Sequence, residues 1–101
     1  MATAANNVYS HVTKNPDVCG GRATIDGTRI RVVDIWSLKQ RGLSPEQMLE
    51  EYPLTLAQVY AAVSYAYENV GEIETALAED DRTAERIQRD REEFLSKIPA
   101  R

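Results

Sequence analysis

One histidine and one cysteine, His11 and Cys19, are the only side chains in this 101-residue sequence that could form a base and thiol nucleophile pair. A thiol attacks as thiolate, which a neighbouring imidazole can generate, so the pair works only if the strand carrying His11 meets the turn carrying Cys19. The plainer reading is a small buried thiol and a surface imidazole. Gly20-Gly21 alone does not make a phosphate-cradling loop, and one cysteine cannot build a structural zinc site. Metal-assisted nuclease chemistry needs three or four carboxylates converging from separate elements. Here ten acidic residues fall in one run from Glu68 to Glu93, so no enzyme activity, metal or cofactor is expected.

Binding chemistry is better represented. Arg22, Arg29 and Arg31 flank an Asp26-Gly27 dipeptide, and guanidinium groups there can hold DNA phosphates. The structural alternative is a solvated arginine pair, or Arg29 held by a carboxylate such as Asp34. Downstream, Thr55, Gln58, Tyr60 and Ser64, with Ala61 against a thymine methyl, are the residues available to read base edges. No Lys or Arg lies between Thr55 and Asn69, so such a surface needs flanking arginines and dimerisation to bind DNA with useful affinity.

The elements that position these residues are marked by capping and turn chemistry. Ser44-Pro45 is an N-cap hydroxyl followed by proline at the first helical position, and Pro53 disfavours the helical region at Tyr52. Thr55 and Gln58 have the spacing of a capping box. A short helix from Ser44 to Tyr52 and a longer one from Thr55 are therefore predicted, with a helix over Val32–Arg41 before them and Gly42 as its stop. Helices joined by so few residues cross steeply, which is the helix-turn-helix arrangement. In the third helix Leu56, Val59, Val63, Ala66, Tyr67 and Val70 form the expected apolar stripe, opposite Ala57, Gln58, Tyr60, Ala61, Ser64, Tyr65 and Glu68, and Gly71 is expected to break the pattern. Upstream, Val8–Thr13 has the alternation of a short edge strand. Asp26-Gly27 between Thr/Ile and Thr/Arg/Ile signals a small hairpin before the helices.

Charge is distributed unevenly. Overall there are 12 basic and 16 acidic residues, yet Arg22 to Arg41 holds five basic residues against Asp26 and Asp34, while Glu68 to Glu93 holds ten acids against four arginines. The sequence is thus basic before the helix pair and acidic after it. With one cysteine and no long apolar run, neither a disulfide, a signal peptide nor a membrane span is expected, and a cytoplasmic setting is the default. Residues 1–7 are small and polar and expected to fray. Residues 8–70 form one hairpin plus helix-turn-helix domain, and 71–101 a helical tail.

In that tail Ile73, Leu77, Ala84, Ile87, Phe94 and Ile98 follow alternating four- and three-residue steps if Asp80 and Arg91 fill the two vacant places. This is a coiled-coil-like seam with two polar interruptions. A helix over Glu72–Lys97 would span on the order of 40 Å, too long to fold back fully onto so small a domain. The bland reading is a solvated charged helix. The sharper one is a docking segment that lays Ile73, Leu77, Ile87, Phe94 and Leu95 into a partner.

The blocks Pro16-Asp17-Val18-Cys19-Gly20-Gly21-Arg22, Ile25-Asp26-Gly27-Thr28-Arg29-Ile30, Gly42-Leu43-Ser44-Pro45-Glu46 and Tyr52-Pro53-Leu54-Thr55, in that order, resemble the family of small bacterial and archaeal proteins called domain of unknown function 433. The resemblance spans roughly residues 8–67. It implies a hairpin followed by a homeodomain-like three-helix unit, and for many relatives a place in toxin–antitoxin pairs, as a VapB-like antitoxin partnered by a PIN-like ribonuclease. The sequence departs from the pattern at Arg31, where relatives commonly carry proline, and in its long tail.

The fold class expected is therefore mostly α: an N-terminal β-hairpin, a homeodomain-like helix-turn-helix unit and a long C-terminal helix. The function expected is that of an antitoxin-like, DNA-binding transcription regulator of a type II toxin–antitoxin system. It would act as a homodimer or higher homo-oligomer on operator DNA and neutralise its cognate PIN-like nuclease toxin through the tail. The competing reading is a protein–protein interaction module whose trihelical fold serves packing only and never touches DNA.

Overall fold

In the computed structural model, which describes residues 10–99, two three-residue strands pair antiparallel: β1 (Val12–Lys14) and β2 (Ala23–Ile25), with Val12 opposite Ile25 and Lys14 opposite Ala23. Val8 and Tyr9 of the expected edge strand, and the expected frayed terminus, lie outside the described residues. A loop closed by the 3-10 turn Cys19–Gly21 joins the two strands. The hairpin is thus centred one turn earlier than the Asp26-Gly27 signal suggests. That dipeptide still makes a turn, since Thr28 N–H donates to Ile25 O at 3.0 Å and Ile25 N–H to Ile30 O at 2.8 Å. It leads only into an isolated bridge between Thr24 and Arg31. Of the two central residues Gly27 alone has positive φ (80°), which is what a type II turn requires, whereas a type I′ turn needs both.

Four helices follow: α1 (Val32–Gln40), α2 (Pro45–Met48), α3 (Leu56–Glu68) and α4 (Val70–Ser96). Each boundary has a local cause. Gly42, at φ 95°, ends α1 in a Schellman arrangement, with Gly42 N–H on Lys39 O (2.9 Å) and Leu43 N–H on Leu38 O (3.1 Å). Ser44 with Gln47, and Thr55 with Gln58, form reciprocal capping boxes at the starts of α2 and α3. The second helix is shorter than its sequence pattern, and residues 49–52 complete it as a turn. The break before α4 falls at Asn69 (φ −133°, ψ 45°), and Gly71 sits inside the helix.

The core gathers β2, α1, α3 and the first turns of α4 around Ile25, Val32, Ile35, Met48, Val59 and Ala62, all fully buried. The apolar face of α3 is rotated from the expected stripe. Val59, Ala62, Tyr65 and Ala66 point inward, while Leu56, Tyr67 and Val70 are exposed. The outcome turns on the two tyrosines: Tyr65 is 7% exposed and Tyr67 56%. Tyr65 can go inside because its hydroxyl reaches Glu72 Oε1 at 2.8 Å, so burial leaves no polar atom unpaired. The radius of gyration is 16.9 Å, against about 13 Å for a compact chain of this length. The excess comes from the outer part of α4, since every residue from Asp81 to Pro99 is exposed.

Candidate functional site: a clamped helix with an open end

The first three turns of α4 are fixed to the head by packing and by ions. Ile73 is 3% exposed and Ala76 is buried, while Leu77 packs against the same core. Around them stand carboxylates that answer the basic residues of the hairpin region. Glu72 Oε1 takes Lys14 Nζ at 3.1 Å and the Tyr65 hydroxyl. Arg22 reaches Glu79, Asp80 Oδ1 (3.3 Å) and the carbonyl of Ala76. Arg31 is the centre of the array. It holds Asp34 through Nε and Nη2 (3.3 and 2.8 Å) and Asp80 through Nη1 and Nη2, both at 3.1 Å. Asp34 meanwhile caps α1 by accepting the Arg31 backbone N–H at 3.0 Å.

Bidentate guanidinium–carboxylate pairs of this kind are short, directional and charge-assisted. The hydrogen bond to Arg31 holds the Asp80 carboxyl below its ordinary range, against an opposing effect of desolvation, and Arg22 adds to the lowering. The hydrogen bond to Asp34 likewise raises Arg31, so it stays protonated at every accessible pH. Tyr52 is pushed up, first by burial and then by the nearby carboxylates Asp34 and Glu51.

Arg22 and Arg31, two of the three arginines expected on DNA, are therefore occupied by carboxylates of their own chain. The carboxylate expected to hold Arg29, Asp34, belongs to Arg31 instead. Arg29 itself is exposed, and among the described residues its side chain has no ion pair. On α3, Thr55 and Gln58 are bound to each other. Gln58 Oε1 accepts the Thr55 N–H at 2.8 Å, so the two-point reading of adenine by a glutamine amide is unavailable while the cap is intact. Tyr60 and Ser64 are exposed. With Leu56, Val63, Tyr67 and Val70 they leave a surface more aromatic and apolar than polar. Lys39 adds a cation beside it, 5.4 Å from the Trp36 ring and 5.2 Å from Tyr67, whose rings meet edge to face at 5.1 Å.

The five expected partner-binding residues divide into two groups. Ile73 and Leu77 are covered by the head of the same chain, so the partner surface contracts to Ile87, Phe94 and Leu95, joined by Ile98. Ile87 is 59% and Phe94 66% exposed. The charge reading is refined in the same way. The acidic excess is confined to Glu68, Glu72, Glu74, Glu79 and Asp80, most of which serve the clamp. From Asp81 onward five acids (Asp81, Glu85, Asp90, Glu92, Glu93) are matched by Arg82, Arg86, Arg89, Arg91 and Lys97. The free end is thus amphipathic and charge-balanced. Basic residues early in the sequence and acidic residues late in it are the signal that could have revealed the clamp.

Neither residue of the potential thiol–imidazole pair stands in a site. Cys19 Sγ lies 3.4 Å from the Arg29 carbonyl and donates to it, and exposed His11 accepts the Asp26 N–H through its backbone oxygen. A cleft of about 440 Å³ runs between the 3-10 turn and α4, but its charged rim, Lys14, Arg22, Glu72 and Glu79, is paired across it. No described helix is long and apolar enough to cross a membrane.

The part of the chain that builds the hairpin and the three head helices, residues 12–66, matches the family model described as protein of unknown function (DUF433). The chain belongs to this family. A DUF433 member protein from Anabaena variabilis ATCC 29413, known from its crystal structure, is 31% identical, with a TM-score of 0.65 over 76% of this chain and 77% of that one. An uncharacterized protein, y4eO, of Sinorhizobium fredii (strain NBRC 101917 / NGR234) is 39% identical over 56 residues, which is 50% of this chain. The match spans only 25% of that relative's length. The family match ends before α4, so the clamp residues Glu72, Glu79 and Asp80 and the open end lie beyond it. Arg31, where the sequence departs from the pattern of the resemblance, ties the two parts together with Arg22 and Lys14.

Proposed function

We propose that this DUF433 protein is an antitoxin-like regulator of a type II toxin–antitoxin pair, in which the outer half of α4 captures a PIN-like ribonuclease toxin and the head addresses operator DNA. One observation carries the docking half: Ile87, Phe94 and Leu95, with Ile98 in the turn just past the helix end, are exposed along one side of an arm whose inner half is already held to the head. Single exposed apolar side chains are ordinary on a soluble helix, but these four fall on one side within 12 residues. Apolar side chains at helical spacing on an open arm are the form in which a helix enters a groove. For the DNA half, the residues that remain available are Arg29, Tyr60 and Ser64. So few phosphate contacts predict weak, strongly salt-dependent binding that gains from dimerisation.

Co-purification with the product of the adjacent gene, combined with a ribonuclease assay, tests the docking half. The full chain should bind and inhibit the nuclease, and Ile87→Glu with Phe94→Glu should do neither. Inhibition undiminished in a chain ending at Asp81 refutes capture by the arm. Three observations favour a second reading, a protein–protein module with no DNA role: the ion-paired Arg22 and Arg31, the capped Gln58 and the aromatic surface of α3. An operator mobility shift at low salt separates the two. A shift lost in Arg29→Ala supports the regulator, and no shift with the partner present supports the module.

A further inference from the structure

The open end of α4 has a pairing register of its own. Leu77, Ala84 and Arg91 take one core position of successive heptads, which Ile98 continues in the turn just past the helix end at Ser96, and Ile73, Asp80, Ile87 and Phe94 take the other. The head covers or binds the seam as far as Asp80, so a helix that covers the rest must lie beyond it. We infer that in the absence of another partner the outer arm pairs antiparallel with the same segment of a second copy, Ile87–Ile98 against Ile98–Ile87.

Three features select this occupant. Antiparallel helices place one core position opposite the other. With Ile87 facing the second copy's Ile98, Arg91 faces its Phe94, and the same two layers repeat in reverse. The arginine stem then lies on apolar surface, and its guanidinium on an aromatic face. In the same register the flanking positions bring Asp90 to the second copy's Lys97 twice, and Gln88 beside its Leu95. A parallel pair in register would instead set Arg91 against Arg91. The arm from Asp81 to Lys97 also carries equal numbers of acidic and basic residues, so two copies approach without net repulsion. The overlap of 12 residues uses the exposed Ile87, Phe94, Leu95 and Ile98 and none of the residues the head covers. It is small: at roughly 1,000 Å² in total it sits at the low end of specific interfaces. The dimer is therefore weak and reversible, and a partner offering more area displaces it.

Sedimentation equilibrium of the full chain over a wide concentration range tests this. A monomer–dimer equilibrium is expected. Phe94→Glu should raise the dissociation constant at least tenfold, with the melting curve of the head unchanged because Phe94 touches nothing in it. Asp90→Lys should weaken the dimer severalfold, and Asp90→Lys with Lys97→Asp should restore it, because the two ion pairs re-form reversed. With Cys19→Ser, spin labels at Arg82→Cys should lie roughly 30 Å apart along the pair, since 21 residues at 1.5 Å separate them in this register. A much shorter separation overturns it. So does a monomer at every concentration, or a dimer that ignores Phe94→Glu but dissociates on Tyr60→Glu, which would assign the face of α3. A monomeric chain that still captures the nuclease overturns self-pairing and leaves the docking reading intact. A dimer that captures no nuclease does the reverse.

Discussion

The two halves of α4 have the same periodicity and opposite surroundings. In the inner half Ile73, Ala76 and Leu77 are packed on the head, and every acid from Glu72 to Asp80 except Glu74 has a cationic partner there. In the outer half, spaced identically, Ile87 and Phe94 stand in solvent, and among the described residues the ion pair there is the local one between Glu93 and Lys97. A heptad seam states that a helix has a buried side. Whether the cover comes from its own chain depends on where the rest of the fold ends.

The largest effect that would break this comparison is a truncation at each end of the seam. Ile73→Ala should cost about 2–4 kcal/mol by denaturant unfolding, as buried isoleucine deletions do. Ile87→Ala at monomer concentrations should stay within about 0.5 kcal/mol. Equal costs would mean that the outer half is covered after all. Next in size is Arg31→Ala, which leaves Asp34 without its cation and Asp80 with Arg22 alone. It should destabilise by about 1–2 kcal/mol, discounted for the partial exposure of the site. Amides at the start of α4 should then lose hydrogen-exchange protection before those of α1. Arg29→Ala should leave stability unchanged.

A smaller effect is set by pH. Because the Asp80 carboxyl is lowered in the fold, its contribution is present in full above the ordinary carboxylate range, near pH 4, and is lost as the pH falls through the lowered value. The stability difference between the protein and Asp80→Asn, about 1 kcal/mol or less given the exposure of the carboxyl, should therefore hold at neutral pH and close in acid. A difference that stays unchanged however far the pH is lowered would show that Asp80 acts by packing alone. Smallest of all, Lys97→Ala removes an exposed pair and should change stability by a few tenths of a kcal/mol at most.

Much of the architecture was legible because its causes are local. Gly42, Ser44-Pro45, and Thr55 with Gln58 satisfy or release backbone groups within one turn, so the residues themselves mark the ends of α1 and the starts of α2 and α3. The Asp26-Gly27 turn and an edge strand reaching Thr13 are equally visible, but not the pairing of that strand with β2, since a separate loop lies between them. The stripe on α3 was misplaced by one residue's rotation. Leu56 and Tyr67 are as apolar as Val59, Ala62 and Tyr65, and the choice between the faces rests on what the rest of the core presents and on Glu72, which accepts the Tyr65 hydroxyl.

The candidate site was legible in its chemistry and not in its assignments. Arginines in the hairpin region and carboxylates in the tail are both plain in the sequence, yet they pair with each other across 49 residues, between Arg31 and Asp80, and 58, between Arg22 and Asp80. Sequence alone therefore determined the capped helices, the polarised charge and the heptad seam, because each depends on neighbours within a few positions. Tertiary structure alone decided that the seam is closed on one half and open on the other. An ion pair or a buried face needs a partner brought from elsewhere in the chain, and only folding supplies that distance.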